Sequence, residues 1–221
     1  MPPDVVPVSS TVSAIAKEPH FYFSVDNRTF KADDLFESII LITEYSDGTI
    51  TNLDIKGAVD FNGATPETEF AKLDETAEYT GAYMGYVSPY YNGEVLAGVQ
   101  SLIFVGVKGD ANLDGEVNIS DASSILKYYA NSAAGLTAQL ITPADGGDPG
   151  FYETLAFFLA DVTTESTAGA NSDAGKLEIN DASCVLTYYA QKAAGLAPEW
   201  DVIIPSLKDI VGSLWYDRAN A

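Results

Sequence analysis

The sequence predicts an α+β protein divided by domain, an all-β sandwich followed by an all-α unit. Three observations carry this reading. From about His20 to Val107 the apolar residues come in short alternating runs, broken by Asp-Gly and Asn-Gly turns. After Lys108 the apolar spacing lengthens to that of helices. Within that second half, Glu116–Leu136 and Lys176–Leu196 align without gaps, and twelve of the twenty-one residues are identical. Two copies of one loop-plus-helix unit, packed as a pair, bury faces that neither could bury alone.

Taken in order, residues 1–15 read as a Pro/Ser-rich linker, "MPPDVVPVSSTVS", and the chain as a piece of a larger protein. Residues 16–107 form the β-rich domain. "SIILITEY" and "TITNLDI" flank Asp47-Gly48, which predicts a hairpin. "MGYVSPYYNGEVLAG" carries a second hairpin signal at Asn92-Gly93. Ala64-Thr65-Pro66-Glu67 opens a short helix with Pro at its first position. "SLIFVGV" is β-branched and aromatic, as a buried strand should be. Residues 108–221 form the helical unit. Ala122, Ile125, Leu126, Tyr129 and Ala133 are spaced as one apolar helix face, and Gly135 is the expected stop. "FYETLAFFLADV", "DASCVLTYYAQKAAGL" and "PSLKDIVGSLWYD" predict three further helices.

Composition excludes several classes of function. There are 32 acidic residues against 11 basic, for a net charge of -21. Such a surface repels phosphate backbones and anionic lipid, so neither nucleic acid nor a membrane surface is an expected partner. No apolar run is long enough for membrane insertion. Cys184 is the only cysteine, so no disulfide forms within the chain. The acid excess does suit an oxygen-rich cation site.

Such a site is spelled in "GDANLDGEVNISD". Asp110, Asn112, Asp114, Gly115, Asn118 and Asp121 occupy positions 1, 3, 5, 6, 9 and 12 of an EF-hand-like calcium loop. Short Asp and Asn side chains supply hard oxygens from a tight turn, and Gly115 permits that turn. The Glu116 carbonyl fills position 7. Asp121 stands where a sensor loop carries Glu, so the following helix must approach more closely. The second copy keeps only its back half: Lys176 at position 7, Glu178 at 9 and Asp181 at 12. Counting back gives Ala174, Ser172 and Ala170, which are poor ligands. Asp161, at the end of "FLAD", is the alternative first ligand. The loop from Asp161 to Asp181 is then twenty-one residues long, its front half displaced by an insertion. Its intermediate oxygens come from Thr163 and Glu165, or from Asn171 and Asp173. Two Ca²⁺ sites are therefore expected, the second irregular.

These repeats resemble the dockerins of cellulosomes, and "DASSIL" and "DASCVLTYYA" resemble those of ruminal fibre-degrading bacteria. The front half, through "FYFSVDNRTF", "FNGATPETEF" and "VGVKGD", resembles the X-module that precedes such dockerins. The resemblance implies an X-module–dockerin dyad: an Ig-like sandwich followed by two calcium-binding F-hand repeats. It implies binding, not catalysis. The implied partner is a cohesin of a cell-wall-anchored scaffoldin, and the implied location is extracellular, at the bacterial cell surface. The X-module is expected to act as a buttress, since "SLIFVGVKGD" runs into the first ligand without a flexible linker. The family's repeats often bind in either of two orientations. Here Ser120/Asn180, Lys127/Thr187, Asn131/Gln191 and Ser132/Lys192 differ, which argues against two-way binding. The expected partner surface is Ile119, Ser120, Lys127 and Asn131 on one helix and Asn180, Thr187 and Gln191 on the other.

No catalytic set is evident. His20, the one histidine, sits at the edge of an expected strand, Cys184 replaces Ser124 on a helix, and there is no Gly-rich phosphate loop. A carbohydrate-binding module with an accessory calcium-binding domain is the alternative. Tyr79, Tyr83, Tyr86, Tyr90 and Tyr91 would form its platform, although core and hairpin packing explains them more simply. A calcium sensor is disfavoured, because Met is scarce and no Met-rich groove can open.

Overall fold

The computed structural model describes residues 4–17, 19–25, 27–76, 78–143, 146–163 and 176–204. The chain mixes α and β structure. The helix expected at residues 205–217 lies outside the described residues, as do Glu165, Asn171 and Asp173.

The first sheet has the order β1 (Pro7–Ala16), β3 (Phe36–Tyr45), β4 (Ile50–Asp54), all antiparallel. Residues 7–15, expected as linker, are thus strand: Val12 pairs with Leu41 and Ser10 with Thr43. The sequence there alternates and is β-branched, but its Pro and Ser content masks it. β3 and β4 form the expected hairpin. Asp47 holds its turn by accepting the Thr49 N–H at 2.9 Å and the Thr49 hydroxyl at 2.6 Å.

The second sheet has the order β2 (His20–Phe23), β9 (Ser101–Gly106), β6 (Ala82–Val87), β5 (Asp74–Glu75). β2 and β9 run parallel, His20 opposite Ile103 and Phe23 opposite Gly106. Local turn signals cannot predict a pair so far apart in sequence. A small hairpin, β7 (Tyr90–Tyr91) and β8 (Glu94–Val95), closes over Asn92-Gly93 as expected. Two short helices serve the β-rich half, α1 (Ala32–Leu35) and α2 (Pro66–Phe70). Thr65 caps α2, its hydroxyl accepting the Thr68 N–H at 3.1 Å, with Pro66 in the first turn.

Strands β2 and β9 are buried on both faces, which explains the unbroken apolar run of β9, whereas β6 leaves Met84 and Tyr86 exposed. Ile103 and Val105 face a core with Phe36, Ile39 and Ile55 of the first half. Phe104, with Phe21 and Ala82, faces the opposite way, into a core shared with the helical half. There the central helix α4 (Phe151–Ala160) docks; Leu155 to Ala160 are apolar on every side because that part of the helix is surrounded. The Phe158 ring stacks on Phe23 at 4.4 Å and lies 6.4 Å from Phe21. The two halves therefore share one hydrophobic cluster.

The repeated helices are α3 (Ile119–Ala133) and α5 (Ile179–Ala193), which pack against each other. Both end alike. Leu136 N–H bonds to Asn131 O at 2.9 Å and Leu196 N–H to Gln191 O at 3.0 Å, around Gly135 and Gly195 in left-handed backbone. A short helix, α6 (Trp200–Ile203), follows; Trp200 stacks on Tyr188 at 4.5 Å. The expected apolar face of α3 is corrected. Ala122 and Ile125 are buried and Tyr128 is half-buried, but Leu126, Tyr129 and Ala133 are exposed. The helix carries two apolar stripes, and only one enters the core.

Candidate metal centre

The first loop is folded around two carboxylates that are fully buried, Asp110 and Asp121. Asp110 Oδ1 accepts the N–H of Asp114 at 3.1 Å, and its Oδ2 that of Gly115 at 2.8 Å. Asp121 Oδ1 accepts from Ala111 at 2.9 Å and Asn112 at 3.2 Å, and its Oδ2 from Asn118 at 2.8 Å. Asn112 Oδ1 accepts the Asp114 N–H at 3.1 Å, and Asp114 Oδ1 that of Glu116 at 2.9 Å. Asn118 caps α3, its Oδ1 accepting from Ser120 at 2.7 Å. Leu113 and Gly115 take positive φ, 58° and 86°, to wind the chain inward. Side chain to backbone hydrogen bonds thus link Asp110, Asn112, Asp114, Asn118 and Asp121 within one loop.

The electrostatics are those of an anion cluster short of positive charge. Burial pushes the Asp110 carboxyl up to about 7, and the charges of Asp121 and Asp114 push the same way. Burial likewise raises Asp121 to about 6, with Asp114 adding to the rise. No basic side chain is among the main influences on either group. No three His, Cys, Asp or Glu side chains among the described residues converge closely enough to hold an ion by themselves. A cation here must therefore also draw on the Asn112 and Asn118 amide oxygens and the Glu116 carbonyl. That oxygen-only donor set has the chemistry for a hard divalent ion such as Ca²⁺.

The second repeat reproduces the same frame across its insertion. Asp181, also fully buried, accepts from Val162 and Thr163 N–H, each at 3.0 Å, through Oδ1. Its Oδ2 accepts from Glu178 N–H at 2.8 Å. Asp121 makes the same three bonds to Ala111, Asn112 and Asn118. Val162 and Thr163 thus occupy the places of Ala111 and Asn112, and Asp161 stands where Asp110 stands. The Thr163 hydroxyl adds a 2.9 Å bond to Asp181 Oδ1. Lys176 and Glu178 lie at the far end of the loop, before α5.

One participant was not foreseen. Lys108 is buried beside this second cluster, its Nζ 4.4 Å from the Phe23 ring centroid. Burial lowers its pKa to about 8 against the pull of Asp161 and Asp181. In sequence it is an unremarkable lysine two residues before the first ligand; only the fold brings it to the second loop.

The β-rich half reaches the first loop directly. The Gly81 N–H bonds to Leu113 O at 2.9 Å, and the Thr80 hydroxyl to Asp114 O at 3.0 Å.

The expected partner residues lie on the outer sides of α3 and α5. Ile119, Ser120, Lys127, Asn180 and Thr187 are exposed, and Asn131 and Gln191 are half-buried. What sequence reasoning missed is that matching apolar residues are also outside. Leu126 and Leu186 are 40% and 38% exposed, and Ile119/Ile179, Tyr129/Tyr189 and Leu136/Leu196 are matched in the same way. Identity between repeats signalled core, yet it is equally the signature of a duplicated surface.

The other candidates are placed as follows. His20 is buried, stacked on Tyr22, and held neutral by burial and by Lys17, with its pKa near 4. Cys184 packs half-buried against the shared core. Of the five tyrosines, Tyr79 packs on Tyr152 at 4.7 Å and Tyr83 on Phe70 at 4.6 Å, while Tyr91 packs against the first core. Tyr86 is exposed and Tyr90 half-buried. No described helix is long and apolar enough to cross a membrane.

Compared with protein-family models and with curated protein sequences, the chain matches none.

Proposed function

We propose that this chain is a non-catalytic adaptor of the X-module–dockerin type. In this reading the helical half is a dockerin that binds a cohesin on a cell-wall-anchored scaffoldin. It thereby attaches a polysaccharide-degrading assembly to the cell surface, outside the cell. The β-rich half, an Ig-like sandwich in family terms, is its buttress.

The observation that carries the reading is the pair of outward stripes on α3 and α5. Each helix follows a candidate calcium loop and presents Ile, Leu and Tyr to solvent at equivalent positions, with a further exposed Leu, Leu136 or Leu196, just past its glycine stop. A chain this acidic gains nothing in solubility from eight exposed apolar side chains. An interface explains them, with aromatic and aliphatic anchors inside a polar rim of Ser120, Lys127, Asn131, Asn180, Thr187 and Gln191.

Ca²⁺ would be structural. Bound at Asp110, Asn112, Asp114, Glu116, Asn118 and Asp121, it would neutralise the buried carboxylates and fix the start of α3. A second ion would be held from Asp161, Thr163, Lys176 (through its carbonyl), Glu178 and Asp181, with Glu165 as a further candidate. The deciding experiment is a pull-down against a panel of cohesins, with Ca²⁺ and with EDTA. Calcium-dependent capture by one class of cohesin is expected. Equal failure with every cohesin, by a chain whose calcium loading is verified, would overturn the reading.

A further inference from the structure

The β-rich half carries a feature that partner docking on α3 and α5 does not use. A cleft of about 540 Å³ opens between the segment 61–64, the end of α2 and the end of β6. This lies within the size range of small-ligand sites, about 300–1,000 Å³. We propose that it binds a neutral oligosaccharide, with one sugar ring lying on the Tyr86 face.

Tyr86 is 61% exposed, whereas Tyr79 and Tyr83 pack on aromatic partners and Tyr91 packs against the first core. A large ring left open beside a concavity is a surface waiting for an apolar face. Around it stand Asn62, Ser88, Glu69, Lys72 and Tyr90. They provide an amide, two hydroxyls, a carboxylate and an ammonium group. A sugar ring is complementary to this combination, with C–H bonds on its faces and hydroxyls at its edge.

Charge selects the neutral class. The Lys72 ammonium is paired with Glu69 at 2.6 Å, so the lining carries no free positive group for an anion. The chain's net charge of -21 adds a general penalty against acidic ligands.

The cleft is also pre-formed. Asp60 and Tyr90 exchange backbone bonds of 3.0 and 2.7 Å, which tie one wall to the hairpin. The Asn62 N–H is held by Asp60 Oδ1 at 2.8 Å, in a turn with Asn62 and Gly63 both at positive φ. The Phe30 N–H anchors the same wall through Ala64 O at 3.2 Å. Little ordering is then lost on binding, which matters for a weak ligand.

The test is an NMR titration of the full calcium-loaded chain with cellohexaose, xylohexaose and mannohexaose, each separately. At least one should shift amide resonances of residues 61–64 and 86–90, with half-saturation near about 1 mM. Resonances of α3 and α5 should stay in place. Tyr86→Ala should weaken the response at least about tenfold, and Tyr86→Phe should restore most of it because stacking survives. Asn62→Gly, which keeps the turn, should weaken it less. Met84→Ala, two residues earlier on the same strand face but outside the cleft, should change nothing. Circular dichroism melts verify that each variant is folded. No shift with any of the three sugars, or shifts that survive in folded Tyr86→Ala, would overturn the proposal. Both results are independent of whether any cohesin binds.

Discussion

Gly81, in the turn just before β6, lies directly against the Asp110 carboxylate, with no room for a side chain between them. A Cβ at Gly81 would run into Asp110 Oδ2 and come within 2.5 Å of the Gly115 nitrogen. The β-rich half therefore forms one wall of the first loop. Gly81→Ala should push the loop away from its closed geometry and destabilise the chain by about 1–3 kcal/mol. Calorimetric calcium titration should show the first site weakened and the second intact. Wild-type calcium binding in Gly81→Ala would mean the contact does not constrain the loop.

The two loops should bind one ion each. In Asp121→Asn and Asp181→Asn an NH2 group replaces one carboxylate oxygen, so at least one of the three backbone N–H groups loses its acceptor, a loss of about 1–3 kcal/mol in each variant. Calcium counted by elemental analysis after gel filtration should fall from two per chain to one in either variant. A stoichiometry of one in the wild type, unchanged by Asp181→Asn, would show the second frame to be a metal-free helix cap.

Calcium-stripped protein should lose stability as pH rises. Folding holds the Asp110 carboxyl at about 7 and Asp121 at about 6, above the unfolded value of about 3.9. The folded chain then binds protons more tightly than the unfolded one. This contribution is complete below about pH 4 and is lost as pH climbs through about 7. Thermal melts of stripped protein should therefore fall between about pH 5 and 7.5, while added Ca²⁺ should widen its advantage over the same interval. A melting temperature of the stripped protein that rises with pH would contradict the assigned burial.

Phe158 should report the union of the halves. Its ring packs on Phe23 and Phe21 of β2 from within the helical unit. Phe158→Ala should cost about 3–5 kcal/mol. Strand and helix signals should melt together in the wild type and separate in the variant. Two independent transitions already present in the wild type would show that the shared cluster does not couple them.

Partner binding should depend on the outward stripes. Leu126→Ala with Tyr129→Ala on α3, and Leu186→Ala with Tyr189→Ala on α5, are compared by calorimetry against the cohesin found in the pull-down. The polar differences between the repeats argue for one orientation. One pair should then weaken binding at least about tenfold more than the other. Pairs that are silent alone and abolish binding together would show that the chain docks either way round.

The first loop was legible in sequence because its candidate ligands lie within twelve consecutive residues, Asp110 to Asp121, with a helix at their end. The hairpins at Asp47-Gly48 and Asn92-Gly93 were legible for the same reason: their determinants are local. The second loop was only half legible. The spacing allowed Asp161 as a candidate first ligand, but only the Val162 and Thr163 N–H bonds to Asp181 bring the residues next to it against the start of α5, across residues that sequence spacing cannot bridge. Periodicity marked α3 as amphipathic without saying which of its two apolar stripes is core. That choice belongs to the neighbours, since Ala122 and Ile125 enter the core cluster that also holds α4 and the second sheet while Leu126 and Tyr129 meet solvent. The parallel pairing of β2 with β9, the descent of Lys108 into the second cluster and the wall made by Gly81 were likewise invisible. Each joins residues far apart in the chain, where burial of a common apolar surface decides the partner and no local propensity does.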